Sequence, residues 1–297
     1  MSITGKTHVY GIIGNPVTHS LSPIFQAYFA EKNRIDAVYV PFSVADETLQ
    51  VALDGLRQAS IQGLNITVPF KERVLPYVCM DDDVRCIGAA NTLKAIDGQW
   101  HAYNTDWQGI AAVMQGSGLD FQGQNVLLLG AGGTARAALH AAAAMGFARV
   151  WICNRSTERR DILIEHALKT YPKMVCEAVE WKQAAVDKVS LDACLMMNTT
   201  SIGLSDDQIF PFQLQGNGWA MDAVYRPDGE TAFVEAARQA GRDVVDGLPM
   251  LIAQGVKSFE IWHPECGVNQ LDALHWITNQ LKRVPFNLPG WESVHET

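Results

Sequence analysis

The 297-residue sequence lacks several features that define common protein classes. No apolar run reaches the ~18 residues that a membrane-spanning helix needs, and the opening segment MSITGKTHVYGIIGNP has no apolar core of signal-peptide length. Basic residues are fewer than acidic ones, 23 against 32, and the formal charge of −9 disfavours a surface for nucleic acid or anionic membranes. We therefore expect a cytoplasmic protein that binds neither nucleic acid nor membrane.

The cysteines show no pairing pattern in the sequence. The six cysteines are scattered, with no Cys-x-x-Cys pair and no histidine partners at metal-ligand spacing. Such a distribution is typical of reduced thiols that fill core positions. We therefore expect neither disulfides nor a bound metal.

Apolar runs of strand length alternate with helical stretches in two series. The first series contains VYGIIG (9–14), AVYVPF (37–42) and GLNITVPF (63–70); the second starts again with NVLLLG (125–130) and ARVWICN (148–154). This alternation predicts βαβ units and mainly parallel sheets. Because 48% of the residues are hydrophobic, the chain can bury two cores, and we expect two α/β domains.

The C-terminal part has a different pattern. Residues 247–281 are rich in helix formers and contain no obvious strand. The closing segment VPFNLPGWESVHET (284–297) contains two prolines and a glycine, so we expect it to lie over the surface or to be disordered.

A glycine-rich turn joins a strand to a helix in the second series. The segment VLLLGAGGTARAALHAAAAMG contains the G-x-G-x-x-A form of the dinucleotide fingerprint. The first glycine permits the tight turn, the second allows a pyrophosphate close to the backbone, and the helix N-terminus offers N–H groups to phosphates. The predicted cofactor contacts in this turn are Gly130, Ala131, Gly132, Gly133, Thr134 and Ala135.

The residues after the next predicted strand indicate which dinucleotide is bound. NAD enzymes usually carry an acid about 20 residues after the glycines, for the ribose 2′-hydroxyl. Here the chain has Asn154, Arg155 and Ser156, with Arg159 one helical turn further on. Two guanidiniums and a hydroxyl suit a 2′-phosphate, which favours NADP. The alternative is that both arginines are ordinary solvated helix residues.

Polar clusters follow or end the apolar runs of the first series. They are GNPVTHSLSP (14–23), NITVPFK (65–71), GAANTL (88–93) and AYNTDWQG (102–109). Open α/β sheets build their sites from loops at the carboxyl ends of the strands. We therefore expect Lys71 to face a cleft at which Asn91 and Asp106 also arrive.

The order of these segments resembles the shikimate dehydrogenase family. The similarity covers residues 9–283 approximately, through Ser-x-Ser-Pro, Asn-x-Thr-x-Pro-x-Lys, Gly-Ala-x-Asn-Thr, Asn-Thr-Asp, Gly-Ala-Gly-Gly and Asn-Arg-Ser, and then through NTTSIG, MDAVYRP and DGLPMLIAQG. The resemblance implies NADP-dependent interconversion of 3-dehydroshikimate and shikimate. It also implies a discontinuous substrate domain (1–108 plus 246–297), a Rossmann domain (109–245) and a cleft between them.

The resemblance assigns roles to individual residues. It implies that Lys71 is catalytic with Asp106 beside it, and that a small-molecule substrate is held by Ser20, Ser22, Asn65, Thr67, Asn91, Tyr225 and Gln254. It adds Thr199 and Gly247 to the cofactor contacts. Chemistry supports the pair independently. A protonated lysine can supply a proton to a developing alkoxide, and a neighbouring carboxylate stabilises the charged ammonium.

Structural alternatives exist for several of these residues. Ser22 before Pro23 could cap a helix, Asn65 and Thr67 could form a ladder on one strand face, and Asp106 could cap the helix that follows it. Gln254 could be a buried helix residue, and His19 is a weaker candidate in a turn. At the level of function, the alternatives are an NAD(P)-dependent quinate/shikimate dehydrogenase and a non-catalytic dinucleotide-binding module. We expect a monomer or a homodimer.

Overall fold

The computed structural model describes residues 3–205 and 208–292, and the chain divides into two compact units. The first unit ends at Gln108 and includes Ile252–Ala273. The second unit runs from Gly109 to Leu251 and resumes at Leu274. None of the helices in these described ranges combines the length and apolarity that a bilayer crossing requires.

The first unit is built around one six-stranded sheet. Its strands are β1 (His8–Gly14), β2 (Ala37–Ser43), β3 (Gly63–Ile66), β4 (Cys79–Met80), β5 (Thr92–Ile96) and β6 (Gln99–Tyr103), and its helices are α1 (Ser22–Lys32), α2 (Leu49–Gln58) and α3 (Asp82–Ile87). The strand order is β2-β1-β3-β5-β6-β4, and only β5 runs against the others. The prediction of a mainly parallel sheet is confirmed.

The reversed direction of β5 determines where Asn91 lies. Asn91 directly precedes β5, so it enters the sheet at the edge where β3 and β6 end. The Ile66 N–H donates to the Asn91 carbonyl at 2.8 Å, and the Asn91 N–H donates to the Tyr103 carbonyl at 3.1 Å. The residue is therefore fixed between the ends of two neighbouring strands.

The second unit contains a six-stranded sheet whose strands are all parallel. Its strands are β7 (Asn125–Leu129), β8 (Arg149–Cys153), β9 (Val175–Val179), β10 (Leu195–Asn198), β11 (Trp219–Asp222) and β12 (Asp243–Val245). The order β12-β11-β10-β7-β8-β9 is that of a doubly wound Rossmann sheet. The remaining helices of the chain are α4 (Asp106–Gly116), α5 (Gly133–Ala144), α6 (Thr157–Thr170), α7 (Gln183–Ser190), α8 (Ala232–Gln239), α9 (Gly247–Trp262), α10 (Gln270–Gln280) and α11 (Pro289–Glu292).

Each unit has its own apolar core. In the first unit Ile13, Leu64 and Phe70 are fully buried in one cluster. In the second unit the buried strand residues Leu127 and Met196 pack with aromatic side chains. The runs of apolar residues in the parallel strands of the second unit reflect burial on both faces.

The C-terminal part of the chain differs from the sequence prediction. Residues 246–297 were expected in the first domain as a block, whereas only Ile252–Ala273 lies there. The last segment belongs to the second unit, because the Trp291 indole N–H donates to the Ala112 carbonyl at 2.8 Å and the ring packs on Gly116. Val284 is exposed, as expected for a segment that lies over the surface, whereas the buried side chains of Leu288 and Trp291 anchor that segment. Residues 293–297 lie outside the described residues.

Candidate active site

Lys71 and Asp106 form an ion pair at the edge of the first sheet. Lys71 follows the turn after β3, and Asp106 is the first residue of α4. The Lys71 Nζ to Asp106 Oδ2 distance is 2.8 Å, and the side chains are only 13% and 6% exposed. The two charges compensate each other where water is largely excluded, which holds both groups in place.

Asn91 connects this pair to helix α9. Its Nδ2 donates to Asp106 Oδ1 at 2.9 Å and to Gln254 Oε1 at 3.2 Å. Its Oδ1 accepts from the Thr105 backbone N–H at 2.7 Å. The structure therefore brings Lys71, Asn91, Asp106 and Gln254 together, as the sequence pattern suggested for the first three.

Three buried hydroxyls form a triangle within the same hydrogen-bond network. Thr92, Thr105 and Ser258 are fully buried, and their hydroxyl oxygens lie 2.8 to 3.3 Å apart. Asn65 Nδ2 lies within 3.1 Å of the Thr92 and Ser258 oxygens and of the Asn91 carbonyl. Thr92 and Thr105 occur within the polar clusters recognised in the sequence, but no sequence signal pointed to Ser258.

Tyr39 connects Asn65 to the first helix and was also missed from the sequence. Its hydroxyl donates to Asn65 Oδ1 at 2.7 Å. Desolvation raises the Tyr39 pKa well above its ordinary value, although a hydrogen bond with the Ser22 side chain opposes the rise. The phenol therefore stays protonated and fixes the orientation of the Asn65 amide. Nothing in the run AVYVPF distinguished Tyr39 from a packing residue of a strand.

The two predicted serines lie at the start of α1. Ser22 is buried and is the first residue of the helix, whose N-cap residue is Leu21. The Ser20 hydroxyl oxygen accepts from the Ser22 N–H at 3.2 Å. The capping alternative for Ser22 is therefore not observed.

The other structural alternatives have mixed outcomes. Thr67 lies just beyond the end of β3, half-buried, and its γ-methyl occupies the space that a side chain on Gly14 would need. Its N–H donates to the Ile13 carbonyl at 2.9 Å, so the pairing with β1 continues past Asn65. Near the start of α4, the Trp107 N–H donates to Asn104 Oδ1 at 3.3 Å, which bears on the alternative that Asp106 caps this helix. Asp106 instead points its carboxylate at Lys71 and Asn91. His19 is exposed.

The glycine turn of the second unit fits a bound phosphate. Gly130 has φ of +117°, and a Cβ there would lie 2.5 Å from Thr199 Oγ1, so only glycine suits this position. Gly132 precedes α5, which has no side-chain cap, and a Cβ on Gly132 would meet nothing within 4 Å. The helix N-terminus can therefore offer N–H groups and its positive dipole end to an anion.

The residues after β8 combine structural and binding potential. Ser156 caps α6, its hydroxyl oxygen accepting from the Arg159 N–H at 3.3 Å. Asn154 Nδ2 donates to the Ser156 carbonyl at 2.9 Å. The side chains of Arg155 and Arg159 are exposed beside this cap. Both the phosphate-clamp interpretation and the solvated alternative remain compatible with this geometry.

Two further predicted residues follow β11 and β12. Tyr225 is half-buried in the segment after β11. Gly247 begins α9, and a Cβ on it would lie 2.5 Å from the Ala223 carbonyl oxygen. Close backbone packing therefore explains this glycine without a ligand. Within the described ranges, no group of three His, Cys, Asp or Glu side chains is arranged to hold a metal ion.

Comparison with known proteins places these features in context. The profile of the shikimate dehydrogenase substrate binding domain matches residues 12–93. The chain is 38% identical over 290 residues to the NADP(+) shikimate dehydrogenase of Methanothermobacter thermautotrophicus, covering 94% of this chain and 99% of the relative. It is similar to the crystal structure of the Aquifex aeolicus shikimate dehydrogenase, with a TM-score of 0.83, 33% identity, and coverage of 93% and 99%. It is also similar to the Thermus thermophilus enzyme solved with NADP(H) and shikimate, with a TM-score of 0.80, 30% identity, and coverage of 93% and 100%.

Proposed function

The chain belongs to the shikimate dehydrogenase family, and on that basis we propose that it catalyses the reversible NADP-dependent reduction of 3-dehydroshikimate to shikimate. The observation that carries the proposal is the buried pair in which Lys71 Nζ lies 2.8 Å from Asp106 Oδ2. A ketone reductase needs a proton donor whose charge is balanced within a water-poor site. Lys71 meets that requirement, so this chain has the reacting groups that a non-catalytic binding module would lack.

Lys71 is the proton donor in this proposal. NADPH supplies the hydride when it is bound. Lys71 Nζ gives a proton to the carbonyl oxygen as that oxygen becomes an alkoxide, and takes it back in the reverse direction. Asp106 holds the ammonium in position through one oxygen, while its other oxygen is held by Asn91.

The remaining polar residues of the first unit would hold the substrate. Ser20 and Ser22 suit a carboxylate, because hydroxyls and helix N-termini donate to anions. Asn65, Thr67, Asn91 and Gln254 offer amides and a hydroxyl to the ring hydroxyls. Tyr225 of the second unit is assigned to the substrate on family resemblance alone.

The second unit would bind NADP at the carboxyl ends of its strands. The open space at Gly132 and the uncapped start of α5 support a pyrophosphate contact. Arg155 and Arg159 suit a 2′-phosphate, and no acid stands at the end of β8 to prefer NAD. We also propose a cytoplasmic location and a monomeric or homodimeric state, which sedimentation of the purified protein would distinguish.

A matrix of four assays tests the proposal. Purified protein is mixed with shikimate or quinate and with NADP⁺ or NAD⁺, and the absorbance of the reduced cofactor is followed. We expect the highest kcat/KM with shikimate and NADP⁺. Turnover confined to quinate with NAD⁺ would favour the quinate/shikimate alternative, and absence of turnover in every pairing would favour a binding module.

A further inference from the structure

Asp222 is a fully buried acid of the second unit that the proposed reaction does not use. It is the last residue of β11. Its Oδ1 accepts from Asn198 Nδ2 at 2.8 Å and from the Val224 N–H at 2.9 Å, and its Oδ2 accepts from the Thr231 hydroxyl at 2.5 Å. Burial raises the Asp222 pKa to about 7, with these three donors acting against the rise.

The three donors belong to three different segments. Asn198 ends β10 and begins the segment that carries Thr199, and its Oδ1 also accepts from the Thr200 N–H at 3.1 Å. Val224 precedes Tyr225 in the segment after β11. Thr231 caps α8. One carboxylate therefore fixes the segments after β10 and β11 to each other and to the start of a helix.

The position of these strands identifies which half of a dinucleotide they serve. In the sheet, β8 lies on one side of β7, and β10 and β11 lie on the other. A dinucleotide that crosses the carboxyl edge at β7 places its two nucleotide halves on opposite sides of that strand. The proposed 2′-phosphate contacts follow β8, so the segments held by Asp222 serve the nicotinamide half.

We propose that Asp222 is a positioning residue that fixes the nicotinamide end of the cofactor site. The inference rests on the proposed function, because it takes NADP binding as its premise. Asp222 acts through Thr199, the predicted cofactor contact on the segment that begins at Asn198. Its contribution should be specific to the nicotinamide half, because Arg155 and Arg159, the proposed contacts of the other half, follow β8, and none of the hydrogen-bond partners of Asp222 given above lies there.

Isothermal titration with NADP⁺ and with 2′,5′-ADP tests this inference. The second ligand keeps the 2′-phosphate but lacks the nicotinamide half. Asp222→Ala removes the acceptor of all three donors, so we expect its Kd for NADP⁺ to rise about tenfold or more, with the Kd for 2′,5′-ADP changed less than about twofold.

A second pair of variants keeps the test valid if Asp222→Ala fails to fold. Thr231→Val removes the hydroxyl that donates to Asp222 and should reproduce the selective loss, whereas Thr231→Ser keeps the hydroxyl and should restore NADP⁺ affinity. Thr278→Val is the control, since Thr278 is a buried threonine of the same unit whose hydroxyl donates to the Leu274 carbonyl. It should leave both affinities unchanged.

The outcomes separate this inference from the proposed function. Unchanged NADP⁺ affinity in Asp222→Ala and Thr231→Val would overturn the positioning role while leaving the proposed function intact. Equal losses for NADP⁺ and 2′,5′-ADP would also overturn it, because they would indicate a general structural role. Failure of the wild-type chain to bind either ligand would overturn the proposed function, and this inference with it.

Discussion

Replacement of Lys71 by methionine removes the proposed proton donor with little change in side-chain volume. Loss of a general acid typically costs about 10²–10⁴-fold in rate. Lys71 is 13% exposed, so water can reach its place and donate in part. We therefore expect kcat to fall by about 10²-fold, at the lower end of that range, with the KM for shikimate changed less than about threefold.

The same replacement has a calculable effect on stability. Breaking a fully buried ion pair costs about 3–5 kcal/mol. Asp106 keeps the Asn91 donor at 2.9 Å and is itself 6% exposed, so its carboxylate is not left entirely without compensation. We expect the free energy of unfolding to fall by about 2 kcal/mol, which leaves a folded enzyme whose kinetics can be measured.

Steady-state kinetics and urea titration of Lys71→Met and of Lys257→Met check these values. Lys257 also lies 2.8 Å from a carboxylate, that of Glu260, but this pair is 47% and 31% exposed. The control should therefore keep its kcat and lose less than about 1 kcal/mol of stability. A kcat of Lys71→Met near that of the wild type would refute the proton-donor role. A raised KM with unchanged kcat would indicate that Lys71 contributes only to binding.

Three further predictions concern the cofactor, a buried cation and pH. The double replacement Arg155→Ala with Arg159→Ala should raise the KM for NADP⁺ about tenfold or more and leave the KM for NAD⁺ nearly unchanged, since only NADP carries the 2′-phosphate. Steady-state kinetics checks this, and equal effects on the two KM values would support solvated arginines. The buried Arg242 guanidinium donates to the carbonyls of Ser190, Ala193 and Gln215. Arg242→Met should therefore lower the free energy of unfolding by about 3 kcal/mol in urea titration, and a loss below about 1 kcal/mol would contradict this expectation. Burial lowers the His263 pKa below its ordinary value of 6.5, so the unfolded chain takes up the proton more readily and stability should fall as the pH drops below about 6.5. His263→Phe should weaken that dependence in urea titrations at about pH 7.5 and about pH 5.5, and an unchanged slope would refute the assignment.

The elements that the sequence predicted well are those with strong apolar patterns. The strand before Gly130 lies where NVLLLG indicated, because a parallel strand covered on both faces is nearly continuous in apolar residues. β9 was not recognised, since three of its five residues are exposed at the edge of the sheet and its pattern is weak. β4 and β12 have only two and three residues, too few for any periodicity.

The sequence pattern could not show to which unit each C-terminal helix belongs. An amphipathic helix shows that one face is covered but does not identify the covering element. Residues 252–273 and 274–281 both lie in the stretch that is rich in helix formers, yet they belong to different units. Trp291 decided the assignment of the last segment, and a lone tryptophan in a proline-containing tail gave no such signal.

The candidate site divides in the same way. Lys71, Asn91 and Asp106 stood out because polar residues ended apolar runs, and the structure places these three side chains in contact; their catalytic and binding roles remain predictions. Tyr39 was missed because it stands among apolar residues of β2, and Ser258 because a serine beside Lys257 in α9 looks like any other tolerated helix residue. Only the three-dimensional partners of these hydroxyls reveal them as supports of Asn65.

The main-chain N–H of Thr105 determines which end of the Asn91 carboxamide faces Asp106. A hydroxyl can rotate and change from donor to acceptor, but a peptide N–H can only donate. The backbone therefore fixes Asn91 Oδ1 as the acceptor in this contact and leaves Nδ2 to donate to Asp106. Exchange of Thr92 or Thr105 for serine would leave this donor and acceptor arrangement intact. Exchange of Asn91 for aspartate would set two acceptors against each other, and the loss would persist however the neighbouring hydroxyls turned.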